Sequence, residues 1–174
     1  MIMLILGLSP DESEEMRQNP QRVTTAFERL ASARKPGALN MRPTPNGFCL
    51  DKRWHLFHYL FTGHGHLGGE PPEGALLAGR EIGPAGGYGP ARWLEPSDTK
   101  KFAAYLRSMT VERLLARVSF DAFRREKIYG YTASEGSEED RFEVEDDVTT
   151  FFPALRDFVI EQAEKERGLL IKLT

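Results

Sequence analysis

The sequence contains a single cysteine, which excludes an intrachain disulfide. Cys49 stands between the apolar residues Phe48 and Leu50, and this setting predicts a buried, unreactive thiol. No stretch approaches the ~20 apolar residues that a helix needs to cross a bilayer. The apolar opening run at residues 1–6 is too short for a signal peptide and lacks its basic start. These absences predict a soluble, cytoplasmic protein without a membrane partner.

A concentration of basic residues is also missing. The 174-residue chain has 23 Lys and Arg against 26 Asp and Glu, which gives a formal net charge of −3. Nucleic-acid binders gather their basic residues into a stripe that neutralises phosphates. Here pairs such as Lys100-Lys101 and Arg124-Arg125 lie in helix-like segments of mixed charge. The charge pattern therefore predicts no nucleic-acid partner.

The composition is that of a folded domain, with 40% apolar residues and 11 phenylalanines. Apolar segments of strand length predict strands at residues 1–6, 75–78, 91–94 and 169–173. Because these strands are few, short and dispersed among longer helical patterns, they indicate the α+β class. We predict a single compact domain over residues 1–174, in which several helices pack on a small mixed β-sheet.

Local signals mark the first helix and the first long loop. Ser9, Pro10 and Glu12 have the form of a capping box at a helix start. Residues 35–47 are rich in proline, glycine and asparagine, which is typical of a loop.

The region before the last helix is strongly acidic. Residues 134–147 predict a solvated, mobile loop because like charges repel one another. Apolar residues at helical spacing follow, and Pro153 is tolerated only in the first turn of a helix. We therefore expect the last helix to begin near Thr149 or Thr150.

All four histidines lie within residues 55–66, and two of them share a predicted helix. Asp51 is placed to cap this helix. At 100° per residue, Asp51, His55, His58 and Thr62 fall in one row on the polar edge beside a broad apolar arc. This row combines a carboxylate, two imidazoles and a hydroxyl, and it is the first candidate binding site.

The row has a catalytic, a metal-binding and a structural interpretation. Imidazole titrates near neutral pH, so His55 or His58 could act as a general base. A metal ion would need further ligands from His64, His66 or Glu70. The spacing His-x-x-His is less specific than the His-Glu-x-x-His pattern of metalloproteases. The structural interpretation makes the carboxylate a helix cap and places both histidines at the boundary between core and solvent, and we predict no metal.

Two glycine-rich stretches follow the histidine helix. Residues 63–68 formally match G-x-G-x-x-G, but a helix precedes them where a dinucleotide site needs a strand, so no cofactor is predicted. Glycines in residues 83–90 permit close approach of the backbone to a ligand. There Tyr88 could stack on a ligand and Arg92 could bind an anion. The alternative is a tight loop in which Tyr88 and Trp93 pack in the core.

Two blocks of sequence resemble the YfbM-like family, a bacterial domain of unknown function. Residues 50–63 (LDKRWHLFHYLFTG) are similar to one family block, and residues 87–94 (GYGPARWL) are similar to a second. The resemblance extends over nearly the whole chain and implies a single bacterial α+β domain. It implies no reaction, cofactor or catalytic residue. The chain departs from the family pattern at residues 64–66 and in the acidic stretch at residues 134–147.

These observations leave two hypotheses for function. The first is a non-catalytic binding domain whose polar groove is framed by the histidine row and by Tyr88 and Arg92, with a basic protein or a small polar ligand as partner. It predicts that Trp54 packs inward while His55 and His58 stay accessible to solvent. The alternative is a small hydrolase or transferase, with or without a metal ion, in which one of these histidines is the base and Arg92 clamps an anion.

Overall fold

The computed structural model describes residues 1–34 and 41–174 and is organised around one five-stranded sheet. The strands are β1 (Met3–Leu8), β2 (Gly47–Asp51), β3 (Arg80–Ile82), β4 (Ala91–Leu94) and β5 (Gly168–Leu173). Their order is β2-β1-β5-β4-β3, and all four neighbouring pairs are antiparallel. The α+β class is confirmed, whereas the predicted mixed sheet is corrected to an antiparallel one, because strand direction depends on how the connections return the chain to the sheet.

Seven helices surround the sheet within the described ranges. They are α1 (Pro10–Gln18), α2 (Gln21–Ser32), α3 (Trp54–Thr62), α4 (Pro96–Ser108), α5 (Val111–Leu115), α6 (Phe120–Arg125) and α7 (Glu138–Glu164). The predicted capping box of α1 is confirmed: the Glu12 backbone N–H donates to Ser9 Oγ, and the Ser9 N–H donates to Glu12 Oε2. None of the helices in the described parts of the chain is long and apolar enough to cross a membrane.

Both faces of the sheet are covered, because successive side chains of a strand point to opposite faces. In β1, Met3 and Ile5 join the larger apolar cluster under α3, α4 and α7. Leu4 and Leu6 join a smaller cluster under α2 on the opposite face. The free thiol of Cys49 is buried, as predicted, and burial raises its pKa.

Two sequence predictions about secondary structure were wrong. Residues 75–78 are buried turns instead of a strand. Helix α7 begins at Glu138, within the expected acidic loop, and runs through Pro153. The predicted loop at residues 35–47 lies partly outside the described residues.

The early start of α7 has a local cause and a tertiary one. Ser137 and Asp140 form a capping box that begins the helix inside the acidic stretch. Pro153 removes one backbone donor from the helix interior, but its usual acceptor belongs to Thr149, an exposed residue that water can reach. Packing of Val148, Phe151 and other buried residues of α7 in the larger cluster then stabilises the continuous helix.

A fully buried glutamine on α7 gives a stability prediction. The Gln162 side chain is buried against Gly7 of β1, and its amide N and O have no hydrogen-bond partner among the described residues. Burying an unpaired amide destabilises a protein by about 1–3 kcal/mol. We expect Gln162→Met, which keeps the length and flexibility of the side chain, to raise the free energy of unfolding by about 1 kcal/mol.

Urea denaturation measures this change, and Gln21→Met at an exposed position of α2 is the matched control, with little expected change. A lower free energy of unfolding in Gln162→Met would contradict the conclusion that the Gln162 amide is buried without a hydrogen-bond partner.

Candidate functional site

The prediction that Asp51 caps the histidine helix was wrong. Asp51 is the last residue of β2, opposite Met3 of β1, and its φ of 51° is left-handed. Helix α3 starts three residues later. The Asp51 carboxylate instead lies 3.4 Å from Arg53 Nη1 and 3.9 Å from Arg34 Nη2. Pairing with β1 extends the strand through Asp51, and this removes it from the helical row.

His55 is held by hydrogen bonds to both ring nitrogens. The Tyr129 backbone N–H donates to Nδ1 over 2.9 Å, so Nε2 carries the proton and donates to the Gly65 carbonyl over 3.0 Å. The residue is only 5% exposed, and burial lowers the pKa of its imidazole. Because its only lone pair already accepts a hydrogen bond, His55 has no free site at which to act as a base.

His58 is completely enclosed. Its exposed fraction is 0%, and its Nε2–H donates a hydrogen bond to the His66 carbonyl over 2.7 Å. Burial lowers the pKa of His58 to about 4. The prediction that His55 and His58 stay accessible was therefore wrong, whereas the burial of Trp54 is confirmed.

The enclosure of both imidazoles follows from the composition of α3. All residues from Trp54 to Phe61 are buried, and a helix that is apolar on all sides is normally surrounded by protein. The chain after α3 folds back over the polar edge of the helix, where the carbonyls of Gly65 and His66 meet the two imidazoles. His55 and His58 thus hold this return loop in place.

Thr62 closes the helix instead of facing a ligand. Its hydroxyl donates to the His58 carbonyl over 2.8 Å and accepts from the His64 backbone N–H. Gly63 ends α3 with a φ of 82°, as predicted from the sequence. Arg117 caps the same helix end through its hydrogen bond to the Leu60 carbonyl.

Tyr88 and Arg92 share a small cavity that none of the four histidines lines. Arg92 is in β4, between Ile171 of β5 and Glu81 of β3, and its guanidinium contacts the Glu81 carboxylate over 3.3 Å. Of the alternative that packs Tyr88 and Trp93 in the core, the Tyr88 half is wrong, since this residue is 57% exposed, and the burial of Trp93 is confirmed. Tyr88 and Arg92 line a cavity of about 30 Å³, which has room for a water molecule and not for a substrate.

The structure does not assemble the site that the sequence predicted. The cavity beside Tyr88 and Arg92 is lined by none of Asp51, His55 or His58. Within the described residues, no group of three or more His, Cys, Asp and Glu side chains is arranged to hold a metal ion. The general-base hypothesis and its metal-assisted form therefore have no supporting geometry at this helix.

A buried ionic network was missed by the sequence analysis. Asp147 of α7 is 3% exposed; it accepts from Arg53 Nε over 2.7 Å and from the Tyr131 hydroxyl. Burial and the neighbouring carboxylate raise the pKa of Tyr131 well above its usual range. Helical spacing could have indicated that Asp147 is buried, since it lies on the same helix face as Val144, Val148 and other apolar positions. The network joins the start of α3 to α7.

A groove of about 470 Å³, which we call the α7 groove, lies between the α5–α6 junction and the first turns of α7. Its lining has an apolar part and a charged part. The apolar side chains are Leu115, Val118, Phe120 and Val144, and the charged ones are Asp121, Glu135, Arg141 and Glu145. The acidic pattern of residues 134–147 predicts a solvated loop and gives no signal for the groove.

The edge of the groove is held in a defined shape. The Asp140 carboxylate accepts from the backbone N–H groups of Glu135, Gly136 and Ser137 at 2.9–3.0 Å. Hydrogen bonds from Ser137 and these amides lower the pKa of Asp140. Gly136 has a φ of 87°, and an added Cβ there would lie 3.1 Å from the Phe120 ring, so glycine permits this close approach.

The surface beside the groove is acidic and carries an exposed ring. Residues 138–147 contain seven carboxylates and one basic side chain, Arg141. Phe142 is 73% exposed on the same helix. Single exposed apolar residues are common on proteins, but a phenylalanine next to an apolar groove and within a carboxylate-rich helix is typical of an interaction surface.

Comparisons with known proteins agree with this fold. The model of a family described as "Domain of unknown function (DUF1877)" matches residues 1–172. A solved structure of YfbM from Escherichia coli, described as a protein of unknown function, is similar with a TM-score of 0.68 and 14% sequence identity, covering 98% of each chain. No curated protein matches the sequence. The family match over residues 1–172, together with the similar structure of YfbM, confirms the YfbM-like resemblance, and the structural likeness taken alone shows the fold.

Proposed function

The chain belongs to the DUF1877 family of unknown function, and from this premise we propose that residues 1–174 form a single non-catalytic binding domain. Its partner is a basic segment of another protein, which binds the α7 groove through an apolar anchor and positive charges. This proposal keeps the binding role inferred from the sequence and moves the site from the histidine helix to α7.

One observation carries the proposal: the α7 groove combines an apolar floor with a carboxylate-rich edge. Its volume of about 470 Å³ lies within the range of ~300–1,000 Å³ found for ligand pockets. Among the charged residues that line it, three are acidic and one is basic. Phe142, which is 73% exposed, follows the lining residue Arg141 on α7.

The chemistry of the edge selects the sign of the partner's charge. Glu135 and Glu145 repel an acidic segment and attract a basic one, whereas Asp121 already pairs with Arg124. The attraction raises the association rate more than the affinity. Apolar contacts with Phe142 and the groove floor then slow dissociation, because buried aromatic anchors carry most of the binding free energy at interfaces.

The proposal places the protein in a bacterial cytoplasm. Its support is the single buried cysteine, which needs no oxidising compartment, and the similar fold of a protein from Escherichia coli.

Binding of a fluorescein-labelled peptide of repeated arginine, leucine and serine tests the proposal by fluorescence polarisation. We expect saturable binding that weakens as salt is added, because exposed charges are screened. Phe142→Ser and Glu145→Lys should each weaken binding about tenfold, since one removes an anchor and the other reverses a charge at the groove edge.

Matched controls separate this site from general surface effects. Leu67→Ser removes an apolar side chain that is 71% exposed elsewhere, and Glu70→Lys reverses an exposed charge far from the α7 groove in sequence. Both should leave binding unchanged. Equal binding of a peptide with glutamate in place of arginine, or equal losses in the control variants, would overturn the proposal.

A further inference from the structure

The arrangement of Arg141 indicates which basic side chain the α7 groove prefers. Arg141 lines the groove, and its guanidinium carbon lies 5.7 Å from the centre of the Phe120 ring. Its Nε donates to the Gly136 carbonyl over 3.0 Å. The groove therefore already holds one guanidinium group, which belongs to the chain itself.

We infer that the α7 groove is an arginine-recognition site, and that Arg141 competes with the partner's arginine for the Phe120 ring. This inference rests on the proposed function and names the chemistry of its partner. A guanidinium stacks on an aromatic face more favourably than an ammonium does, because it is planar and weakly hydrated.

The groove edge offers hydrogen-bond acceptors for a second guanidinium. Glu135 and Glu145 line the groove together with Phe120, whereas the Gly136 carbonyl already accepts from Arg141. A guanidinium bridges two carboxylate oxygens with a pair of parallel N–H donors, a geometry that the ammonium of lysine does not have. The groove therefore distinguishes arginine from lysine by shape as well as by charge.

The position of Arg141 also predicts that its removal raises the affinity for the partner. Arg141 is the one basic residue of the groove lining, and its side chain contacts the ring that the partner would use. Deleting it removes the positive charge of the groove lining and uncovers the ring, while Arg124 still pairs with Asp121. We therefore expect Arg141→Ala to strengthen binding, although the variant loses a residue of the binding surface.

Fluorescence polarisation with two labelled peptides tests the inference. One contains repeated arginine, leucine and serine, and the other has lysine in place of arginine. We expect the wild-type protein to bind the arginine peptide more tightly by about threefold or more. Arg141→Ala should tighten binding of the arginine peptide by about threefold.

Two further variants make the result specific. Arg125→Ala removes an exposed positive charge from α6 outside the groove lining, so it should leave the affinity almost unchanged. Phe120→Leu keeps the apolar floor and removes the ring, so it should abolish the preference for arginine over lysine, provided that circular dichroism shows it to be folded. The Arg141→Ala and peptide comparisons do not depend on that variant.

The outcomes separate this inference from the proposed function. Arginine recognition would be overturned by any of three results: equal affinity of the wild-type protein for both peptides, weaker binding by Arg141→Ala, or an equal gain in Arg125→Ala. Each of these results would still be compatible with a groove that binds a basic segment. Failure of both peptides to bind would overturn the proposed function itself.

Discussion

Replacing Asp147 with alanine is expected to lower the free energy of unfolding by about 3 kcal/mol, the low end of the range for breaking a buried ion pair. The substitution leaves the Arg53 guanidinium and the Tyr131 hydroxyl without the acceptor that joins them. The loss is at the low end because the Arg53 side chain is 28% exposed and retains the Asp51 carboxylate at 3.4 Å. Urea denaturation followed by circular dichroism measures the change.

The neighbouring residue provides the control for this prediction. Asp146 precedes Asp147 in the same helix and has the same side chain, but it is exposed. Asp146→Ala should change the free energy of unfolding by no more than about 0.5 kcal/mol, as is usual for surface substitutions. Similar losses in the two variants would show that helix propensity, and not the buried contact, is responsible.

A double substitution examines the nature of the Asp147 interaction. Replacing both charges, as in Arg53→Met with Asp147→Leu, removes the unpaired guanidinium that the single substitution leaves behind, and the Tyr131 hydroxyl lacks its acceptor in both variants. We expect the double variant to be more stable than Asp147→Ala, because apolar pairs often replace buried ion pairs without loss. A double variant that is less stable would indicate that Arg53 stabilises the fold chiefly through other contacts, such as its position over the Phe151 ring.

Acid is expected to destabilise the protein through His58. The folded-state pKa of about 4 lies below the usual value of 6.5, so the unfolded chain binds more protons between these two values. The stabilising contribution is complete above about pH 6.5 and is lost as the pH falls toward 4. The difference corresponds to about 3 kcal/mol. The lowered pKa of His55 adds a loss of the same sign.

Denaturation series at several pH values check this prediction, and two variants identify the group. His58→Gln keeps an N–H donor for the His66 carbonyl and removes the titrating ring, so the decline of stability with acid should become shallower. His66→Gln removes an exposed imidazole and should leave the decline unchanged. A decline that is identical in wild type and His58→Gln would contradict the assignment to His58.

Local patterns predicted those elements whose signals lie within a few residues. The capping box at Ser9, the end of α3 at Gly63 and the apolar strands β1 and β5 all follow from short-range sequence. The same reasoning failed at Pro153, because the packing of α7 on the sheet outweighs the loss of one backbone donor. It also failed at residues 75–78, whose apolar side chains are buried in turns.

The candidate site shows the limit of the sequence more clearly. Helical spacing placed His55 and His58 on one edge of α3, but it could not reveal that residues 64–66 fold back to cover them. The acidic neighbours of Asp147, such as Asp146, predicted that it is solvated. The one sequence signal for its burial is helical spacing, since Asp147 lies on the same face of α7 as buried residues. The α7 groove depends on α5, α6 and α7 meeting, which no local pattern encodes.

The amino-acid sequence by itself determined the α+β class, the family resemblance and the apolar character of the helix at residues 54–61. Tertiary structure alone decided that two histidines are enclosed, that one aspartate is paired in the interior, and that an acidic helix borders an apolar groove. The physical reason is that propensity and capping act over one or two turns of chain. Exposure and charge pairing depend instead on residues that are distant in sequence, such as Arg53 and Asp147.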